Sequence, residues 1–235
     1  MPSASPLRVN LGSGSSGIDG WVNVDADPKL RLTGFIPLLR LANRLGVVSK
    51  SSVSMYSDVH RPPNLLPAKF GDRPLPFKDE SVEAVFTSHV LEHFPRHIGL
   101  ALMKEVRRVL KPGGILRVTV PDLELVAKLY LMGKGIQPEG PLPEGAAKMS
   151  ARDVNLMFYP KSHVGPVSKF DAIDFRMFGI HPHMYMYDYQ ELDQLLKDAG
   201  FPQTRRCKYR EGSCPDVELL DCRQDITLFV EAKKS

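Results

Sequence analysis

The chain has 235 residues, 43% of them hydrophobic and 25% charged, with a formal net charge of +4. That is enough chain for one sizeable core, too little for two comfortable enzyme domains, and too apolar for disorder throughout. The basic residues are scattered, with Arg205, Arg206, Lys208 and Arg210 the densest group, which reads as a solvated strand face and argues against a nucleic-acid groove.

Cys207, Cys214 and Cys222 lack metal-ligand spacing and read as reduced thiols of a cytoplasmic protein. The first six residues have no apolar signal core, and no run approaches the length of a membrane span. The most apolar helix candidate, residues 30–48, is interrupted by Pro37, Arg40, Asn43 and Arg44, and packing on the sheet is expected of it rather than membrane contact.

Residues 7–11 are a short apolar run that ends in Gly12-Ser13-Gly14-Ser15-Ser16-Gly17, a buried strand entering a glycine-rich turn. Residues 21–25 (Trp-Val-Asn-Val-Asp) predict a second strand with an acidic end. A helix and a Ser-rich turn follow over 28–52, then a short third strand at 53–56, Asp58, and a proline-rich loop over 60–74. Residues 82–87 predict a fourth strand. An amphipathic helix over 97–110 stops at Lys111-Pro112-Gly113-Gly114, and a fifth strand over 115–120 ends at Pro121-Asp122. Residues 123–187 depart from this alternation, with a first helix, a Gly/Pro-rich stretch and two short Met- and Phe-rich helical patterns. A helix over 188–199 and strands over 204–209 and 226–232 complete the chain. Alternating strands and helices predict a single α/β domain over 1–235 with a mostly parallel, doubly wound sheet, and 123–187 a helical lid inserted in it.

Three groups of residues point to chemistry. Glycines at 12, 14 and 17 let the backbone approach a ligand and turn amide N–H groups toward it, although many structural turns share the pattern. Asp25, with Asp27 as the alternative, stands where a carboxylate accepts the ribose hydroxyls of a nucleoside, or else caps a helix. His89, Glu92 and His93 form an H-x-x-E-H pattern whose members share one face if a helix starts there. They either begin the helix after the fourth strand and hold loops by hydrogen bonds, or bind a divalent metal together with a histidine from the insertion. The first alternative is preferred, so no metal ligand is assigned.

Leu75-Pro76-Phe77-Lys78-Asp79-Glu80-Ser81-Val82, then Ser88-His89-Val90-Leu91-Glu92-His93-Phe94, then Arg108-Val109-Leu110-Lys111-Pro112-Gly113-Gly114 form an ordered series. The series resembles the class I S-adenosylmethionine (SAM)-dependent methyltransferases over residues 7–122, again over 187–201, and in the last strands. Gly20-Trp21-Val22-Asn23-Val24-Asp25 resembles a branch in which the first helix has shrunk to a turn. The resemblance implies a Rossmann-like sheet of seven strands with the seventh antiparallel, and SAM outside the strand ends. It implies cofactor contacts at Gly12, Ser13, Gly14, Asp25, Asp58, Val59, Ser88 and His89. The long loop over 60–74 departs from the family and puts the adenine contact of Asp58 and Val59 in question.

For the acceptor, His181-Pro182-His183-Met184-Tyr185-Met186-Tyr187 is dense in polar rings and lies in the insertion, as either an acceptor site or a packing cluster. Met157, Phe158, Met177 and Phe178 read as lid core. A hydroxyl acceptor needs a base near neutral pH, for which His89 comes first by position, His183 second, and His163 third. The expected activity is O-methylation of a small polar molecule such as a sugar or related metabolite, with no membrane partner. An RNA or protein methyltransferase, a nicotinamide-dependent dehydrogenase and a non-catalytic SAM-binding relative stay open.

Overall fold

The computed structural model describes residues 6–27, 30, 36–45, 61–71, 73–158 and 183–235. Strands β1 (Arg8–Leu11), β2 (Val22–Asp25), β3 (Leu65–Pro67), β4 (Val82–Ser88), β5 (Leu110–Pro121), β6 (Thr204–Cys207) and β7 (Thr227–Lys233) form one sheet. Its order is β3-β2-β1-β4-β5-β7-β6. The first five pair in parallel, and β7 runs antiparallel to both β5 and β6. The helices are α1 (Ile36–Arg44), α2 (Arg96–Val109), α3 (Leu123–Gly133), α4 (Ala151–Phe158), α5 (Tyr189–Asp198) and α6 (Val217–Leu220). No helix among the described residues is long and apolar enough to cross a membrane.

The strand alternation sorts side chains onto two faces. Val9, Leu11, Val24, Val85 and Val118 face the larger core, where Leu102, Met103 and Val106 of α2 and Leu192, Leu195 and Leu196 of α5 cover them. Arg96 on α2 bonds Glu191 on α5 at 2.6 Å and Asp198 at 3.1 Å, which fastens the two helices. Ala84 and Phe86 face the other way, onto Trp21, Cys214, Val217 and Leu220.

On that second face Trp21 does part of the covering that a helix would otherwise do. Residues 12–21 cross in turns, with no helix, and Trp21 is buried with its indole N–H donating to Asp216 at 2.9 Å. Asn23 holds this turn. Its amide group donates to the carbonyls of Ile18 (3.1 Å), Trp21 (3.3 Å) and Pro63 (2.7 Å), and its oxygen accepts from Asn10. The Gly-Trp-x-Asn-Val-Asp signature is thus a structural clip, in which a buried amide satisfies three carbonyls of irregular chain. Arg117, buried in β5, performs the same task for the 208–221 segment. It binds Asp221 and Glu231 and the carbonyls of Lys208 and Glu211.

Two sequence expectations differ. The third strand lies at Leu65–Pro67, inside the stretch expected as a loop, while residues 53–56 lie outside the described residues. Two leucines before proline are a short signal, and β3 is an edge strand, where Pro67 is tolerated. Lys111-Pro112-Gly113-Gly114, expected as a helix stop, belongs to the start of β5. The register with β4 jumps there from Val82↔Leu110 to Ala84↔Ile115, and Gly113 takes φ +77°. Arg108, just upstream, donates to the carbonyls of Leu75 and Phe77 (3.1 Å each) and to Asp79 (2.6 Å). Arg108 thus ties the Leu-Pro-Phe segment to the Arg-Val-Leu-Lys-Pro-Gly-Gly segment.

Candidate active site

The order of the sheet reverses between β1 and β4, and ligands of open α/β sheets bind at such a switch point beyond the strand ends. A cavity of about 620 Å³ opens there. The residues after β1 form one wall, Ser88 and His89 at the end of β4 another, and His183 closes it from the segment before α5.

The glycine turn is set by backbone geometry. Gly12 (φ +73°) and Gly14 (φ +52°) are left-handed, which L side chains rarely adopt. A Cβ on Gly12 would collide with the side chain of Val90, whereas one on Gly14 would meet nothing within 4 Å. Gly12 therefore lets the turn pass close to the β4 end, and Gly14 keeps the cavity side open. The amides are less available than the sequence suggests. Gly12 and Ser13 donate to the Val24 carbonyl, Gly14 to Asp25, and Ser16 to Ser13, which leaves Ser15 without such a bond among the described residues. Asp25 closes the arrangement, with Oδ2 accepting the Gly14 amide and Oδ1 the Asp27 amide, each at 2.7 Å. It is a brace for the turn, with lone pairs left for a ligand hydroxyl.

At the end of β4 the chain turns through His89, whose φ of +53° is uncommon for a residue other than glycine. Such strain persists where surroundings over-determine it. Here the His89 amide donates to the Thr119 carbonyl, and both ring nitrogens are engaged: Nδ1 with Glu92 Oε1 at 3.2 Å and Nε2 with Thr227 Oγ1 at 3.3 Å. A single 3₁₀ turn, Leu91–His93, replaces the start of an α-helix. Glu92 is wholly buried, and its carbonyl accepts the amides of Met184 (2.7 Å) and Tyr185 (3.2 Å), which pins the His183 segment against this turn. The rings of His93 and His183 meet edge-on at 5.0 Å between centroids, and His183 Nε2 is 4.0 Å from Glu92 Oε1. Burial lowers the pKa of His183 against the opposing pull of Glu92.

Of the residues expected from sequence, Gly12, Ser13, Gly14, Ser88, His89 and His183 line one cavity. Asp25 stands behind the turn rather than in the lining. Asp58, Val59, His163, His181, Met177 and Phe178 lie outside the described residues. With β3 at Leu65–Pro67, the residues that follow the third strand begin at Ala68, so position after that strand no longer supports an adenine contact at Asp58 and Val59. Tyr185 and Tyr187 are packing residues. Their rings meet at 5.0 Å, the Tyr185 hydroxyl bonds Glu191, and Tyr187 is buried. Met157 packs with the cluster around Val126, Leu129 and Met149 and also lines the cavity.

Sequence reasoning missed Asn10, Phe86, Cys222, Arg223 and Asp225 of the lining. The last three lie between α6 and β7, brought there because β7 inserts beside β5. No short motif marks that placement.

A nicotinamide-binding sheet of the dinucleotide type runs in the order 3-2-1-4-5-6, whereas here an antiparallel β7 separates β5 from β6. Residues 49–118 match the family model of a methyltransferase domain. Those residues carry the likeness to a methyltransferase domain. A methyltransferase domain that draws its methyl group from SAM needs a cradle for a nucleoside, and the open turn at Gly14, with Asp25 behind it and the cavity beyond, fits that cofactor. No curated protein matches the chain. Several solved structures resemble the chain. A chain from the complex between the Haloferax volcanii Trm112 methyltransferase activator and a methyltransferase is 17% identical, covering 99% of this chain and 84% of that one, with TM-score 0.46. A SAM-dependent methyltransferase of Thermotoga maritima is 14% identical over 100% and 84%, with TM-score 0.46. One of Mesorhizobium loti is 14% identical over 100% and 94%, with TM-score 0.45. Likenesses of this strength say nothing about the acceptor.

Proposed function

We propose that the protein transfers the SAM methyl group to an oxygen of a small polar acceptor, such as a sugar or related metabolite, in the cytoplasm. The observation that carries this reading is the single cavity joining the glycine turn to the cluster of His89, Glu92, His93 and His183. One end suits a nucleoside cofactor, the other is lined by groups able to handle an acceptor proton, and the volume of about 620 Å³ is that of a small-molecule pocket. The cytoplasmic placement rests on the three cysteines read as reduced thiols.

SAM supplies a methyl group already bound to a cationic sulfur, so the protein's share is alignment and exclusion of water. Gly12, Ser13, Gly14 and Asp25 hold the cofactor end, and Ser88 and His89 stand between the two ends. The acceptor loses its hydroxyl proton to the histidine cluster. Within it His89 keeps Glu92 in place, and His183 presents its ring to the acceptor. Asp58 and Val59 remain proposed adenine neighbours on the family resemblance alone. Residues 123–187 act as a lid that selects the acceptor, with Met149 and Met157 as its apolar wall over the cavity.

The test is incubation of the purified chain with SAM and a panel of hydroxylated small molecules, with S-adenosylhomocysteine (SAH) release as the readout. Acceptor-dependent release and a methyl ether in the product are expected. Release with protein or RNA acceptors, and with no small molecule of the panel, would overturn the acceptor class.

A further inference from the structure

We propose that Glu92, His93 and His183 bind a divalent transition metal of the zinc class, with an open coordination position toward the acceptor end of the cavity. The identity of what fills that position rests on the methyltransferase reading; the metal site itself rests on the three side chains.

One ligand atom from each residue lies within 4.8 Å of the other two. Glu92 is 0% exposed. A buried carboxylate is ordinarily satisfied on both oxygens. Here Oε1 meets His89 Nδ1 at 3.2 Å, but Oε2 is buried without a hydrogen-bond partner among the described residues, as are Nδ1 of His93 and Nδ1 of His183. The three side chains converge without bonding one another: His183 Nε2 stops 4.0 Å from Glu92 Oε1, and the two rings meet edge-on. A ligand atom of each residue within reach of the other two, together with a buried unpaired polar atom on each side chain, is what a missing shared partner leaves behind.

The donor set indicates the partner. Two imidazoles and one carboxylate make a three-ligand set for zinc that leaves a fourth position open, the arrangement of catalytic rather than structural zinc. Metal–ligand bonds of about 2.0–2.2 Å need the three atoms to draw somewhat closer, which side-chain rotation supplies. The backbone is already fixed for it, because the Met184 and Tyr185 amides on the Glu92 carbonyl hold His183 beside the 3₁₀ turn. His89 then serves as the outer partner that orients the Glu92 carboxylate. All three proposed ligands line the cavity, so an acceptor oxygen reaching the open position would be polarised by the bound ion.

The test is a titration of chelator-treated full-length protein with Co²⁺ alone, followed by visible absorption, then competition with Zn²⁺. One equivalent of Co²⁺ with the absorption of a four- or five-coordinate ion, displaced by Zn²⁺, is expected. His93→Ala and His183→Ala should each weaken binding by about 100-fold or more, since loss of even an outer partner of a ligand costs about 10–100-fold. His97→Ala, which removes an exposed histidine outside the cavity, should leave it unchanged. SAM titration of the same samples reports whether each is folded, and the wild-type stoichiometry decides the matter if a variant is not. Wild-type protein that binds SAM but takes up no Co²⁺, or folded His93→Ala and His183→Ala variants that bind it as tightly as wild type, would overturn the site. Protein that binds Co²⁺ at this site but neither SAM nor SAH would leave the site standing and overturn the methyltransferase reading.

Discussion

The Asp25 carboxylate accepts the Gly14 amide at 2.7 Å, so the last residue of the second strand holds the turn that follows the first. Its other oxygen accepts the Asp27 amide. Asp25→Ala should therefore loosen the turn as well as remove a ribose acceptor, costing about 1.5–3 kcal/mol of SAM binding for each charge-assisted bond lost. Asp25→Asn, which keeps one oxygen, should fall between. Calorimetry with SAM checks this, and wild-type affinity in Asp25→Ala would remove the residue from the site.

Gly12 carries a different burden. At φ +73° and with Val90 in the path of a Cβ, Gly12→Ala meets both left-handed strain and a clash. The strain alone is about 1–2 kcal/mol, and displacement of Val90 adds to it. A lower thermal midpoint together with weakened SAM binding is expected. Gly14→Ala shares the strain but adds its methyl to open space, so it should cost less stability. Equal thermal midpoints for the two variants would contradict the close approach at Gly12.

His89 combines a left-handed backbone with two engaged ring nitrogens. His89→Ala should lower turnover, by about 10²–10⁴-fold if the ring also takes the acceptor proton, and change SAM affinity much less. His89→Asn tolerates the same backbone and offers a donor to Glu92, so it should recover part of the loss if the role is positioning. Steady-state kinetics on an identified acceptor separates the two. Wild-type turnover in both variants would exclude His89 from either role.

Glu231 links stability to pH. Burial alone would raise its pKa, but the amides of Ser213 and Cys214 and the guanidinium groups of Arg205 and Arg117 outweigh that and hold it below the usual carboxylate range. A depressed folded-state pKa means the contribution is complete above the unfolded value of about 4.3 and is lost as pH falls through the folded value. Glu231→Gln should be less stable than wild type at neutral pH, with the gap narrowing below about pH 4. Thermal melts from pH 7 to pH 3 check the sign, and a gap that widens in acid would contradict it.

Much of this was legible in local sequence. The glycine turn, the acidic end of β2 and the Ser88-His89 exit of β4 are contiguous signals whose chemistry follows from adjacent residues. The third strand was not, because Leu65–Pro67 is three residues long and its identity comes from pairing with β2. Nor was the His183 contact with the Glu92 turn, which depends on the backbone amides of Met184 and Tyr185 meeting the carbonyl of Glu92, far back in the chain. Cys222, Arg223 and Asp225 entered the site only through the antiparallel insertion of β7. The tyrosines at 185 and 187 looked like acceptor contacts because aromatic density alone does not reveal which way the rings face.

The most direct measurement is a calorimetric titration of the purified chain with SAM, SAH and NAD⁺ in parallel. Stoichiometric binding of SAM and SAH, with no heat from NAD⁺, is expected of a class I methyltransferase built on the Gly12–Gly14 turn and Asp25. Binding of NAD⁺ with indifference to SAM and SAH would contradict it.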